Sequence, residues 1–174
     1  MGILTGKRRP EKTAGRPTGM KQTEKAQIDP ESRSFKVENW PFFVIVQLAS
    51  RYHLRLDEVL KPIGMDVARW RTLMIVASRE SATVTEIADV AVSRISTMAK
   101  IIQRMTAQDL VATRPSPEDA RATEVTITAN GRAVLSQIKT KVARLSDRAF
   151  QGVSERDLET LNRIAGRIHE NLLP

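Results

Sequence analysis

Residues 83–128 constrain the fold most, because two closely spaced helical segments run directly into a pair of short alternating strands. Thr83 and Glu86 stand at capping-box spacing, which predicts a short helix with Ile87, Val90 and Ala91 facing inward. After a brief turn, a longer helix is predicted from about Arg94 to Gln108. There Ile95, Met98, Ile102 and Met105 recur at steps of three, four and three, giving one apolar face. Two helices joined this tightly form a helix-turn-helix. Leu110–Arg114 and Ala122–Ile127 then read as antiparallel strands, the second alternating polar and apolar through Glu124, Val125, Thr126 and Ile127. The loop between them, 115–121, is charged and carries two prolines. A hairpin placed directly after the second helix is the wing of a winged helix-turn-helix.

The longer helix leaves a particular set of residues facing outward. Ser93, Thr97, Lys100 and Arg104 step by four, three and four, flanked by Arg94, Ser96 and Gln103. From Val90 to Gln108 there are three basic residues and no acidic one. A merely solvated face normally mixes signs, since opposite charges one turn apart support a helix. The alternative to an ordinary polar face is a recognition helix in the DNA major groove. Arg94 and Ser96 then approach base edges, while Lys100 and Arg104 reach base or phosphate. Arg121 at the wing tip fits the minor groove, where negative potential is focused. Asp119 is read as holding its guanidinium in a fixed geometry; the competing reading is a surface turn with an incidental ion pair.

The flanks read as helical. Asn39 is expected to cap a helix containing Pro41 that stops at Lys61-Pro62-Ile63-Gly64, and Asp66 to cap a second over Val67–Ser78. Trp70, Leu73, Met74 and Ala77 share an apolar stripe on the latter. Beyond the hairpin, Thr128 is expected to cap a helix in which Leu135, Ile138, Val142, Leu145 and Ala149 recur at helical spacing. Ser154 and Asp157 make a further capping box before Leu158, Leu161, Ala165, Ile168 and Leu172. Such narrow seams suit helix pairing and call for a partner. The expectation is a homodimer built from both chain ends. The fold class is mainly α with a small β-hairpin wing. Its predicted parts are a basic arm over 1–36, an N-terminal dimerisation helix over 37–62, a DNA-binding lobe over 63–128 and C-terminal dimerisation helices over 129–174.

Composition sharpens the function class. The net charge is +8, of which +5 falls in residues 1–36. That balance favours anionic partners, nucleic acid or an acidic membrane surface. The arm holds few large apolar residues, so it cannot offset its ordering entropy and reads either as a solvated tail or as a source of non-specific phosphate attraction. Gly15-Arg16-Pro17 within it resembles the core of an AT-hook, with Ala14 where an Arg usually precedes. The chain has no cysteine, two scattered histidines, no Gly-rich phosphate loop and no metal-spaced cluster. That inventory argues against an enzyme and predicts no cofactor or metal. No apolar run reaches membrane-spanning length and no secretory leader is evident, so a cytoplasmic protein without a membrane partner is expected. A DNA-coating protein without sequence choice is the rival to a specific regulator.

Over roughly residues 40–172 the chain resembles the MarR family of bacterial transcription regulators. The resemblance is carried by Arg69-Trp70-Arg71-Thr72-Leu73, by Thr85-Glu86-Ile87-Ala88-Asp89, by 96–105 with Leu110-Val111 after it, and most strongly by Pro117-Glu118-Asp119-Ala120-Arg121 followed by Val125-Thr126-Ile127-Thr128 and Gly131. It implies a triangular homodimer with interleaved terminal helices and two winged lobes on a palindromic operator, acting as a repressor released by a small, often aromatic or acidic, effector. It also implies an effector cleft between the dimer helices and the lobe, with Phe43, His53 and Trp70 as candidates; burial in the core competes for Trp70, and the dimer contact for His53. Two positions depart from the family pattern: Asp109 stands where glycine is usual, and Ala120 where a second wing Arg is common.

Overall fold

The structure, a computed structural model, describes residues 28–117 and 119–173. Most of the arm anticipated over 1–36, including the AT-hook-like Gly15-Arg16-Pro17, and Glu118 in the wing loop lie outside the described residues. Two compact units divide the chain, Met1–Ala49 and Ser50–Pro174. In the first, a 3-10 turn over Val37–Asn39 precedes helix α1 (Pro41–Leu60), which continues into the second. Pro41 takes the first helical position, where its missing N–H leaves no bond unmade. Asn39 is therefore not the cap: it belongs to the 3-10 turn, and Trp40 is the residue before the helix. The Trp40 ring meets Phe35 and Phe42 edge-on, with centroids 6.1 and 5.8 Å away.

In the second unit α1 ends through a 3-10 turn at Lys61–Ile63 and a left-handed Gly64 with φ 69°. Asp66 then caps helix α2 (Val67–Ser78), accepting from the Arg69 N–H at 2.8 Å. Helix α2 is central. It packs against α3 (Val84–Val90), α4 (Ile95–Ala107), α5 (Ala129–Ala149) and strand β3 (Thr123–Ile127). This broad contact corrects the narrow stripe expected from sequence. Trp70 and Leu73 are buried, but Ile75, Val76 and Thr72 join them, while Met74 is exposed and Ala77 only partly covered. The buried Thr72 hydroxyl donates to the Ala68 carbonyl at 2.9 Å, so its burial leaves no polar atom unmet.

The hairpin is part of a three-stranded antiparallel sheet. Strand β1 (Ala82–Thr83) pairs with β3, which pairs in turn with β2 (Val111–Pro115), in the register Ala82–Val125, Val111–Ile127 and Arg114–Glu124. β1 was not legible, because two residues carry no alternation. β2 starts one residue later than expected: Leu110 is buried, but it closes the turn after α4, its N–H donating to the Met105 carbonyl at 2.9 Å. Asp109 takes the left-handed conformation, φ 53°, at the position where the family pattern has glycine.

Helix α5 is seated on that turn. Thr128 caps it by accepting from the Gly131 N–H at 2.9 Å and donates to the Asp109 carbonyl at 2.6 Å. A Cβ on Gly131 would lie 2.0 Å from the Leu110 carbonyl oxygen, so the close approach of helix and turn requires glycine there. Leu135 and Ile138 on α5 pack into the same core as Leu56, Leu60, Leu73, Met98, Met105 and Val125. This revises their assignment as dimer residues, since their own chain covers them. Val142 and Leu145 are partly buried against that core. Helix α6 (Glu155–Asn171) opens on the complete Ser154–Asp157 capping box and buries none of its residues.

Candidate nucleic-acid interface

The outward face of α4 follows from what the helix buries. Met98, Ile101, Ile102 and Met105 point into the core. At about 100° per residue, the opposite side is centred on Ser96, Lys100 and Gln103. Thr97 and Arg104 lie on one flank of that line, Ile95 and Ala99 on the other, and all seven are exposed. Gln103, which sequence spacing placed at the margin, is therefore central. Ile95 was expected to face inward and instead is 55% exposed, because it begins the helix beyond the reach of the core; Ile101 fills the inner face. Likewise Val90 turns out to solvent while Ala88 and Ala91 accompany Ile87 inward.

The connection into α4 is tight. Ala91 N–H donates to Ile87, Val92 N–H to Asp89 and Ser93 N–H to Ala88, at 3.0, 2.9 and 2.8 Å. Closing the turn puts Val92 at φ 50°. For a β-branched residue that conformation costs on the order of 1–3 kcal/mol. Ser93 is half-buried in the turn, and Arg94 stands at the N-cap position without a side-chain capping bond. Among the described residues the ion pairs are Arg55–Glu58, Arg69–Asp66, Arg114–Glu124 and Arg121–Asp119. Arg94, Lys100 and Arg104 belong to none of them, though the Arg104 charge acts on the Asp66 carboxylate from a distance.

The far end of α4 is anchored by residues that sequence reasoning did not single out as functional. The Arg69 guanidinium donates to Asp66 Oδ2 at 2.9 Å, to the Gly64 carbonyl at 2.6 Å and to Gln108 Oε1 at 2.6 Å. It thus ties the α1–α2 junction to the end of α4. Asn130 Nδ2 donates to the Gln108 and Asp109 carbonyls at 3.4 and 3.3 Å. Burial opposes the charge on Asp66, but the bonds from the Arg69 backbone and guanidinium, helped by the charges of Arg69 and Arg104, outweigh it and lower the carboxyl below its ordinary 3.8. No sequence periodicity announces such a clamp, since it joins residues 39 apart.

In the wing loop Arg121 is paired with Asp119. Asp119 Oδ1 accepts from both the Arg121 N–H at 3.0 Å and Nε at 3.2 Å, while the Arg121 side chain is 93% exposed. The Ala122 N–H donates to the Asp119 carbonyl and the Ser116 N–H to Ala122, both at 2.8 Å, closing the loop. Below the tip, Arg114 Nε donates to Glu124 Oε2 at 2.5 Å across the strands. Hydrogen bonds from the Ser81 and Arg114 side chains lower the Glu124 carboxyl below its ordinary 4.5.

The expected effector residues each have their own surroundings. Trp70 belongs to the buried core, Phe43 is half-buried in the first unit, and His53 Nε2 lies 3.2 Å from Arg71 Nη2, which makes His53 the acceptor. A cleft of about 660 Å³ in the second unit is lined by the paired Arg55 and Glu58, by Val59 and Pro62, and by Lys141, Arg144, Leu145 and Arg148. Its sequence signal was the cationic spacing on α5, overshadowed by the neighbouring apolar seam.

The MarR family pattern matches residues 63–122, from the α1–α2 junction to the wing. The HTH-type transcriptional repressor IacR of Pseudomonas putida is 36% identical over 144 residues, covering 83% of this chain and 86% of IacR. The chain belongs to the MarR family. It is accordingly a DNA-binding transcriptional regulator, and its winged helix-turn-helix is that family's fold. A MarR-family regulator from Silicibacter pomeroyi superposes with a TM-score of 0.72 at 21% identity, over 79% of this chain and 93% of that one. A mutant MarR from E. coli complexed with operator DNA gives 0.65 at 20% identity, over 72% and 90%.

Proposed function

We propose that the protein is a sequence-specific homodimeric repressor, released from a palindromic operator by a small organic acid. The observation that carries this is the acid-free outward face of α4, with three cations that make no ion pair among the described residues, followed directly by an arginine-tipped wing. Ser93, Arg94, Ser96, Thr97, Lys100 and Arg104 meet the major groove, and Arg121, steadied by Asp119, meets the minor groove. That IacR is a repressor supports repression here. Helix α6 supports a dimer: Leu158, Leu161 and Ile168, with Leu172 just past its end, form an apolar seam of which no residue is fully buried in the single chain. Segments 37–62 and 129–174 pair with those of a second copy, Val142 and Leu145 contributing their uncovered edges, and set two recognition helices about 34 Å apart, one DNA turn.

The effector class follows from the cleft between α1 and α5. Lys141, Arg144 and Arg148 suit a carboxylate, and Val59 and Leu145 an apolar body. Such a ligand weakens DNA binding by favouring another lobe spacing, and DNA weakens the ligand by the same factor. The deciding experiment selects bound sequences from a random duplex pool and then competes the selected site against bulk DNA. A repressor prefers its site by at least ~10³. A DNA-coating protein shows no such preference, and that outcome would replace this reading.

A further inference from the structure

The acid-free face of α4 accounts for the cations and amides of the interface but not for its apolar flank. Val92 is 81% exposed and Ile95 55% exposed, with Ala99 exposed one turn further along the same edge. Large apolar side chains on solvent-facing positions of a small lobe are ordinary when scattered. Ile95 and Ala99 instead share one edge beside Ser96, Lys100 and Gln103, and Val92 stands in the turn three residues before Ile95. The backbone also pays conformationally for Val92, holding a β-branched residue at φ 50° where Asn or Gly would sit without strain. The packing supplies no reason for it, since Val92 is open to solvent and is not among the residues of the core.

We infer that Val92 and Ile95 are specificity residues that read the 5-methyl groups of thymine in the major groove. The inference rests on the DNA-binding reading and goes beyond it by naming which base feature this flank selects. In the major groove, thymine alone among the four bases presents a methyl group, and it is recognised by apolar contact rather than by hydrogen bonds. A flank that combines Ile95, Ala99 and Val92, with no carboxylate from Val90 to Gln108 to repel the neighbouring phosphates, matches that chemistry. Lys100 and Gln103 then read hydrogen-bonding edges while the apolar edge separates thymine from cytosine.

The test uses full-length protein and the site recovered from a random duplex pool. Each thymine of that site is replaced in turn by deoxyuridine, which removes the methyl and keeps every hydrogen-bonding group. Removing one contacted methyl should weaken binding by about fourfold, the worth of one buried carbon, at one or two positions per half-site. Ile95→Ala should lose a similar factor on the thymine site and show little further loss on the matching uracil site, the signature of a coupled pair. Val92→Asn, which suits the left-handed backbone, should melt no lower than the parent yet lose its own uracil penalty. A selected site without thymine, uracil replacements that all leave affinity unchanged, or variants that keep the full uracil penalty would each overturn the inference. A pool that yields no enriched sequence would overturn the DNA-specific reading beneath it as well, so the two failures are distinguishable.

Discussion

Arg121 contributes almost nothing to the folded lobe, since its side chain is 93% exposed and its ion pair among the described residues is with Asp119. Arg121→Ala should therefore leave the thermal midpoint within about 3 °C, an exposed pair being worth under about 1 kcal/mol. DNA affinity should fall nonetheless, by roughly tenfold or more for a lost minor-groove cation. A variant that binds DNA as well as the parent would remove the wing tip from the interface. Gly131 is the opposite case, structural and remote from DNA. An added Cβ meets a backbone oxygen at 2.0 Å, and backbone cannot rotate aside as a side chain can. Gly131→Ala should cost about 3 kcal/mol, the upper end of overpacking penalties, in denaturant unfolding. An unchanged midpoint would mean that α5 is not seated on the Leu110 turn.

Among the elements, α4 is the one proposed to meet DNA. Lys100 sits at the centre of its outward face and makes no ion pair among the described residues. Lys100→Ala should lower the slope of log affinity against log salt by about one if its partner is a phosphate, or relax the preference at one base position if its partner is a base edge. Preservation of both would exclude it. The existence of α4, the caps of α2 and α3 and the wing were readable because each depends on neighbours in sequence: the helical period of α4, Thr83 with Glu86, Asp66 with Arg69, Asp119 with Arg121. What escaped depends on distant neighbours. Ile95 and Val90 follow the helical period yet lie outside, because periodicity assigns a side but not where the core ends. Met74 faces out because α2 is surrounded by several elements and no single stripe describes it. The two-residue β1 and the Arg69–Gln108 clamp have no local signature at all. Leu135 and Ile138 looked like a partner-seeking seam, and only the packing of α5 on α2 shows that the chain covers them itself.

For the whole molecule, the lowered carboxyls set the acid limit of stability. Asp66, Glu86 and Glu124 each bind a proton less readily folded than unfolded, Glu86 because the Thr83 backbone and side chain donate to it. Their contribution is complete above the ordinary values of 3.8 and 4.5 and is lost as pH falls through the lower folded values. Thermal midpoints should be flat above about pH 6 and fall below about pH 4.5, and Asp66→Asn should flatten part of that fall. Quaternary structure is tested on the other apolar surface. Leu161 is 51% exposed on a helix that buries nothing, so Leu161→Glu should cost the single chain little. In a dimer it places a carboxylate in the seam. Sedimentation should then show the parent at twice the 19.5 kDa chain mass and the variant at the chain mass, with unchanged helical circular dichroism. Losing the second half-site should weaken operator binding by about 10²–10⁴, the gain that linkage of two sites normally supplies. Leu135→Glu serves as the contrast: it charges the lobe's own core and should unfold the chain rather than merely separate two copies. If Leu161→Glu still sediments as a dimer, α6 is not the pairing surface; if the parent itself is monomeric and still selects one sequence, two-fold recognition fails while the contacts of α4 stand.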